Sequence, residues 1–163
     1  MSLPTGRPLA RGSPDILVVG GGVIGLSIAW RAALAGLAVL VADPNPGRGA
    51  TWAAAGLLAP VSEVHYGEEP LLALNMESAR RFPSFVEELE VCVGHDIGYR
   101  QIGALVVALD RGDAAVLSEL HDFHHRLGLC SALIGGKQAR ALEPMLAPGV
   151  SAGLVVEGDH QVD

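Results

Sequence analysis

Residues 15–43 read DILVVGGGVIGLSIAWRAALAGLAVLVAD. The stretch opens with a short apolar run, Ile16 to Val19, and continues through glycines at 20, 21, 22 and 25. A helix-compatible segment spans Val23 to about Leu34, Gly36 interrupts it, and a second β-branched run ends at Asp43. The order is strand, glycine turn, helix, strand, acid. Gly20, Gly22 and Gly25 satisfy G-x-G-x-x-G, with the acid 18 residues after Gly25, which is the pattern of a Rossmann-type βαβ unit that binds a dinucleotide. In that pattern Gly20 permits the tight turn out of the strand. Gly22 lets a pyrophosphate approach the backbone, and Gly25 lets helix and strand pack closely. The first helical residues, Val23 and Ile24, open a helix whose free N–H groups and partial positive charge suit phosphates. Asp43 is placed to accept hydrogen bonds from an adenosine ribose, and its charge disfavours a 2′-phosphate.

The same stretch is long enough to cross a bilayer, since between residues 16 and 42 only Ser27 and Arg31 are clearly polar. Three features argue against a span. The glycines cluster in one turn, Arg31 would sit near mid-membrane, and the flanking β-branched runs have strand length.

Working outward, 163 residues with half of them hydrophobic suffice for a sizeable core. The net charge of −7 argues against nucleic acid and against anionic membrane surfaces as partners. Cys92 and Cys130 form no C-x-x-C and read as two reduced thiols of a cytoplasmic protein. Residues 1–14 carry three prolines, two glycines and no apolar core of a signal peptide, so they read as a flexible leader.

After Asp43, PNPGRG is a turn-rich loop. ATWAAAGLLAP, residues 50–60, has neither alternation nor a helical stripe; taken alone, it reads as a helical turn packed under the sheet. Glu68 to Glu90 is helical in pattern, with Leu72, Met76 and Ala79 on one stripe and Phe82, Phe85, Val86 and Leu89 on another. Pro83 is expected to kink it or to start a new helix. Gly103 to Leu109 reads as a strand. Arg111 to Leu127 reads as an amphipathic helix with Val116, Leu120, Phe123 and Leu127 inward, ended by Gly128. A short strand at 132–134, a short helix at 137–142 and a last strand at 153–156 follow. His121, His124 and His125, with Asp122, have spacings that a metal site would tolerate. With no Cys or further His nearby, the cluster reads as a solvated helix face, and no metal is expected.

GGGVIGLSIAW, VADPNPGRGAT and AAAGLLAPVSEVHYGEE, together with the closing ALEPMLAPGVSAGLVVEGDHQVD, resemble the flavin-dependent D-amino acid oxidase superfamily, and within it the glycine oxidases of thiamine biosynthesis. The resemblance runs from Asp15 to Asp163. It implies an α/β fold, with a Rossmann-type FAD-binding domain followed by the first part of an α+β substrate domain. Residues 15–91 would be the N-terminal part of the FAD domain, 92–157 part of the substrate domain, and 158–163 the start of the return to the FAD domain. The small-residue run of the family passes beside the flavin ring. The resemblance therefore implies that Thr51, Ala54, Gly56 and Leu57 join Gly20, Gly22, Val23, Ile24, Gly25 and Asp43 in binding FAD. The loop holding His65 would lie near the substrate entrance, with His65 fixing the loop rather than acting in catalysis.

Family members are more than twice this long, so the chain reads as an N-terminal fragment of a larger oxidase. The Arg and Tyr that clamp the substrate carboxylate, and with them the catalytic residues, are expected beyond Asp163. The implied reaction is oxidation of the amine of glycine or a similarly small amino acid, with molecular oxygen as acceptor and hydrogen peroxide as product. Two alternatives stand beside it: an NAD-dependent dehydrogenase using the same fingerprint, and a fragment with no activity of its own. The oligomeric state is left open, a homo-oligomer included.

Overall fold

The computed structural model describes residues 13–163. The leader expected over residues 1–14 lies outside the described residues except for Ser13 and Pro14. The chain divides into two compact units between Ala55 and Gly56. These are units of packing, and they do not follow the functional boundary expected between residues 91 and 92.

In the first unit, β1 (Ile16–Val19) pairs in parallel with β2 (Val39–Ala42), from Ile16 opposite Val39 to Val19 opposite Ala42. Parallel neighbours need a crossover, and α1 (Val23–Leu34) supplies it. The helix ends at Ala35, and Gly36, at φ +84°, turns the chain back toward the sheet. The Asp15 carboxylate accepts the Ala38 N–H at 2.8 Å, holding the entry of β2 to that of β1. The apolar run 16–42 is thus a strand, a 12-residue helix and a strand. Among the described residues no helix is long and apolar enough to cross a membrane. The start of residues 50–60 is not packed under the sheet: α2 (Ala50–Ala53) is a single turn of helix and Trp52 to Ala55 are exposed, whereas Pro60 is buried.

The second unit holds β3 (Leu57–Leu58), α3 (Glu69–Val93), β4 (Ala104–Ala108), α4 (Arg111–Arg126), β5 (Ala132–Gly135), α5 (Gly136–Leu142), β6 (Ala152–Val156) and β7 (His160–Gln161). Its main sheet has the order β4-β6-β5 and is antiparallel throughout. One face of it is buried under α4, where Val61, Ala108, Leu117, Leu154 and Val156 form the core. Asp110 caps α4 by accepting the Asp113 N–H at 2.9 Å, while Asp113 accepts the Leu109 N–H at 3.0 Å. Away from this sheet, β3 pairs antiparallel with β7.

The helix α3 runs through Pro83 without starting a new helix and stops at Gly94, which takes a left-handed conformation. Proline forfeits one ladder bond, and the apolar stripe of Phe82, Val86 and Leu89 continues across it, so packing carries the helix past the break. The inward face of α4 holds at Phe123, which is buried, and at Leu120, which packs on the core, but it is corrected at Val116, which is exposed while Leu117 and His124 are buried. Val116 and Leu117 are adjacent and both apolar, so composition alone did not set the phase. A face that buries a histidine is disfavoured on polarity grounds, and the structure adopts it.

Candidate cofactor site

The glycine turn between β1 and α1 takes the shape its spacing demands. Gly20 has φ +103°, a conformation that side chains avoid, and its N–H donates to the Ala42 carbonyl at 2.9 Å. A Cβ on Gly25 would collide with the Gly20 carbonyl, so the helix can approach the strand only because Gly25 has none. Gly22 is the N-cap of α1, and its carbonyl accepts the Leu26 N–H at 2.9 Å. The N–H groups ahead of Leu26 have no partner within the helix. Thr51 takes one of them, its hydroxyl accepting from Val23 N at 3.0 Å. Among the described residues that leaves Ile24 and Gly25 as first-turn donors, with no acidic residue in that turn to compete for them. The same Thr51 hydroxyl stands 3.0 Å from where a Gly22 Cβ would be. Thr51 thus completes the turn from 28 residues away.

Asp43 reaches into this turn from the end of β2. Its carboxylate accepts the Gly21 N–H at 2.7 Å and the Asn45 N–H at 2.6 Å. These two donors, Gly21 first, hold its carboxyl below the usual carboxylate range. The acid is therefore ionised at neutral pH and already fixed in place. Each carboxylate oxygen has a second lone-pair direction, so the two backbone donors leave acceptor capacity for a ribose. Gly21, to which the sequence pattern assigns no role, is as constrained as its neighbours. A Cβ there would meet Pro46 Cβ at 2.9 Å and Asp43 Cβ at 3.0 Å. Its only signal in the sequence is that the run is GGG where the pattern asks for G-x-G.

These residues fit a dinucleotide: a turn that excludes side chains, a helix N-terminus with donors to spare, and an anchored carboxylate. A model of the FAD dependent oxidoreductase family matches residues 15–163. The chain belongs to that family. Its cofactor is FAD, and the nicotinamide alternative is set aside. The chain is 33% identical to the glycine oxidase of Geobacillus kaustophilus over 91% of this chain and 40% of that protein. It is 32% identical to the bifunctional protein ThiO/ThiG of a Synechocystis strain over 91% of this chain and 21% of that protein. The crystal structure of the Geobacillus kaustophilus glycine oxidase superposes with a TM-score of 0.85 at 32% identity, over 91% of this chain and 40% of that one. The chain thus spans about 40% of the length of that oxidase.

The family's small-residue run continues from the turn. Ala54 is exposed and ends α2 in extended conformation. Gly56 has φ +72°, and a Cβ on it would collide with the Val162 carbonyl, while Val162 N donates to the Gly56 carbonyl at 2.9 Å. Gly56 is therefore required by the protein's own backbone, because β3 and β7 close on each other there. Leu57, next in the chain, is 60% exposed.

The second unit also contains a cavity of about 670 Å3. Leu57 and Leu58 of β3 form one part of its wall, and the loop after β3 adds Ser62, Glu63 and His65. Helix α3 adds Asn75 and Phe82, and β7 adds His160. The Tyr99 hydroxyl lies 2.7 Å from His160 Nδ1. Burial pushes the Tyr99 phenol up, so it keeps its proton at neutral pH. His65 thus lies in a cavity wall, as does His160, which the sequence pattern did not single out.

The histidines of α4 separate. His125 is exposed, the His121 ring Nδ1 lies 3.0 Å from the Ser131 hydroxyl, and His124 is wholly buried. For His124 the solvated-face expectation is overturned, because α4 turns it into the core.

Proposed function

We propose that this chain is the cofactor-binding part of an amino acid oxidase. The oxidase converts glycine or a similarly small amino acid, with oxygen and water, to the 2-oxo acid, ammonia and hydrogen peroxide. The observation that carries this reading is the run of exposed residues from Trp52 to Ala55, directly after Thr51 of the glycine turn. A contiguous exposed apolar stretch marks a binding surface where a single exposed residue does not, and small side chains that follow a nucleotide turn suit the flat face of an isoalloxazine ring. Similarity to a glycine oxidase and to a ThiO/ThiG protein supports the substrate class, and the resemblance to the glycine oxidases of thiamine biosynthesis supports a place in making the thiazole of thiamine.

In this reading Gly20, Gly22, Ile24 and Gly25 receive the pyrophosphate, and Thr51, bonded to the Val23 N–H, holds the turn in shape. Asp43 receives the ribose, and Ala54, Gly56 and Leu57 lie along the ring. Bound FAD would supply the two-electron acceptor that takes a hydride from the substrate and passes the electrons to oxygen. The cavity beside β3 would admit a molecule the size of glycine. No substrate clamp is assigned within residues 13–163. A cytoplasmic location accords with the free thiols of Cys92 and Cys130.

The test is a fluorescence titration of the chain with FAD and with NAD, followed by a peroxide assay with glycine on a protein of the relatives' length. FAD binding without NAD binding, and peroxide formed from glycine, are expected. Binding of NAD in place of FAD would overturn the reading.

A further inference from the structure

Asp159 is 1% exposed and directly precedes β7. Its carboxylate reaches back across the second unit to two backbone donors. Oδ1 accepts the Val61 N–H at 3.0 Å and Oδ2 accepts the Ser62 N–H at 2.9 Å. A buried carboxylate is costly unless its oxygens are satisfied, and backbone N–H groups at these distances satisfy it strongly. The loop it holds has little else of its own. Its internal backbone bonds, Glu63 N to the Ala59 carbonyl at 3.4 Å and Val64 N to the Val61 carbonyl at 3.3 Å, are long. Val61 is a core residue, packed with Leu117 and Leu154, whereas Ser62 lines the cavity. One carboxylate thus grips the loop where it passes from core to cavity wall.

His124 closes the arrangement. It is wholly buried, and among the described residues neither ring nitrogen has a hydrogen-bond partner. Burial lowers its pKa. The Asp159 charge and the Val61 carbonyl oppose that, and His121 adds to it. A neutral ring brings no cation beside Asp159, and both carboxylate oxygens stay with the two backbone N–H donors.

We propose that Asp159 is a positioning residue: by gripping the Val61 and Ser62 amides it fixes the 59–65 loop as a wall of the cavity, and so sets the space a small amino acid meets. The substrate in this statement rests on the amino acid oxidase reading; the grip itself does not.

Amide hydrogen exchange on the whole 163-residue chain tests it. Asp159→Asn keeps one acceptor oxygen and turns an NH2 group toward the other donor. Exchange at Val61 and Ser62 should then accelerate by about tenfold or more, roughly the worth of one hydrogen bond, with Val106 and Leu154 unchanged. Equal acceleration across β4 and β6 would make Asp159 a stabiliser of the whole unit and overturn the proposal, as would unchanged exchange at Val61 and Ser62. Should Asp159→Asn fail to fold, Asp159→Glu keeps the charge and both oxygens one methylene further out. The same local acceleration is expected there, and a uniform one would overturn the proposal. Failure of the unsubstituted chain to bind FAD would remove the oxidase reading and leave the exchange result standing.

Discussion

At the residue scale, Thr51 and Asp43 are the informative pair. The glycine spacing made the turn legible, because each glycine answers to a steric demand that no other residue meets. It did not show what holds the turn. The Thr51 hydroxyl accepts Val23 N–H from a residue 28 positions on, and nothing local in the sequence marks that contact. Removing the acceptor with Thr51→Val should cost about 1 kcal/mol, the usual worth of a helix cap, and lower the melting temperature without abolishing the fold. Asp43 was legible as the acid after β2, but its bond to Gly21 N was not. Asp43→Ala should therefore weaken FAD and ADP together, on the order of tenfold, because it loosens the turn as well as removing a ribose acceptor. Unchanged affinity for both ligands in a titration would show that Asp43 serves the backbone alone.

At the element scale, the longer strands and helices fell where their periodicity placed them, while the burial of Leu117 and His124 in place of Val116 on α4, and the unbroken run of α3 through Pro83, did not follow. Both depend on what the element packs against, which a single sequence does not carry. The phase of α4 matters because it buries His124. In the unfolded chain this ring titrates near its ordinary value of 6.5, and in the fold burial lowers its pKa. Between those two values the unfolded state binds a proton and the folded state does not. Stability should therefore rise with pH across that window and be lost as pH falls from 6.5 toward the folded value. Glu77 and Asp96 are held at about 2, chiefly by hydrogen bonds from Arg80 and Arg100. Their contribution has the ordinary carboxylate sign, is present above the unfolded values of 4.5 and 3.8, and is lost below them. The two effects separate along the pH axis. Melting curves from pH 5 to 7 should show the slope in the unsubstituted chain and a flattened one in His124→Leu; an identical slope in both would assign it elsewhere. Gly56 belongs to this scale too, since its missing Cβ is what lets β3 and β7 meet. Gly56→Ala should cost about 1–3 kcal/mol, as overpacking does, and do so in the absence of any ligand.

At the scale of the whole molecule, the family was legible from the turn, the small-residue run and the closing GDHQVD together, and the match over residues 15–163 agrees. The buried grip of Asp159 on Val61 and Ser62 was not legible, because it joins positions 97 and 98 residues apart and a lone aspartate has no pattern. The central claim is that Ala54 and its neighbours are left uncovered for a flavin ring, while the nucleotide half of the cofactor is held by the glycine turn. ADP carries only that second half. Because Gly56 is needed by the backbone, the discriminating substitution is at the exposed Ala54. The deciding measurement is a paired titration of the unsubstituted chain and of Ala54→Leu with FAD and ADP. The account predicts that Ala54→Leu binds ADP as the unsubstituted chain does and FAD at least about tenfold more weakly, as overpacking against a bound ring requires. Equal affinity for FAD in the two chains, or equal loss of both ligands, would contradict it.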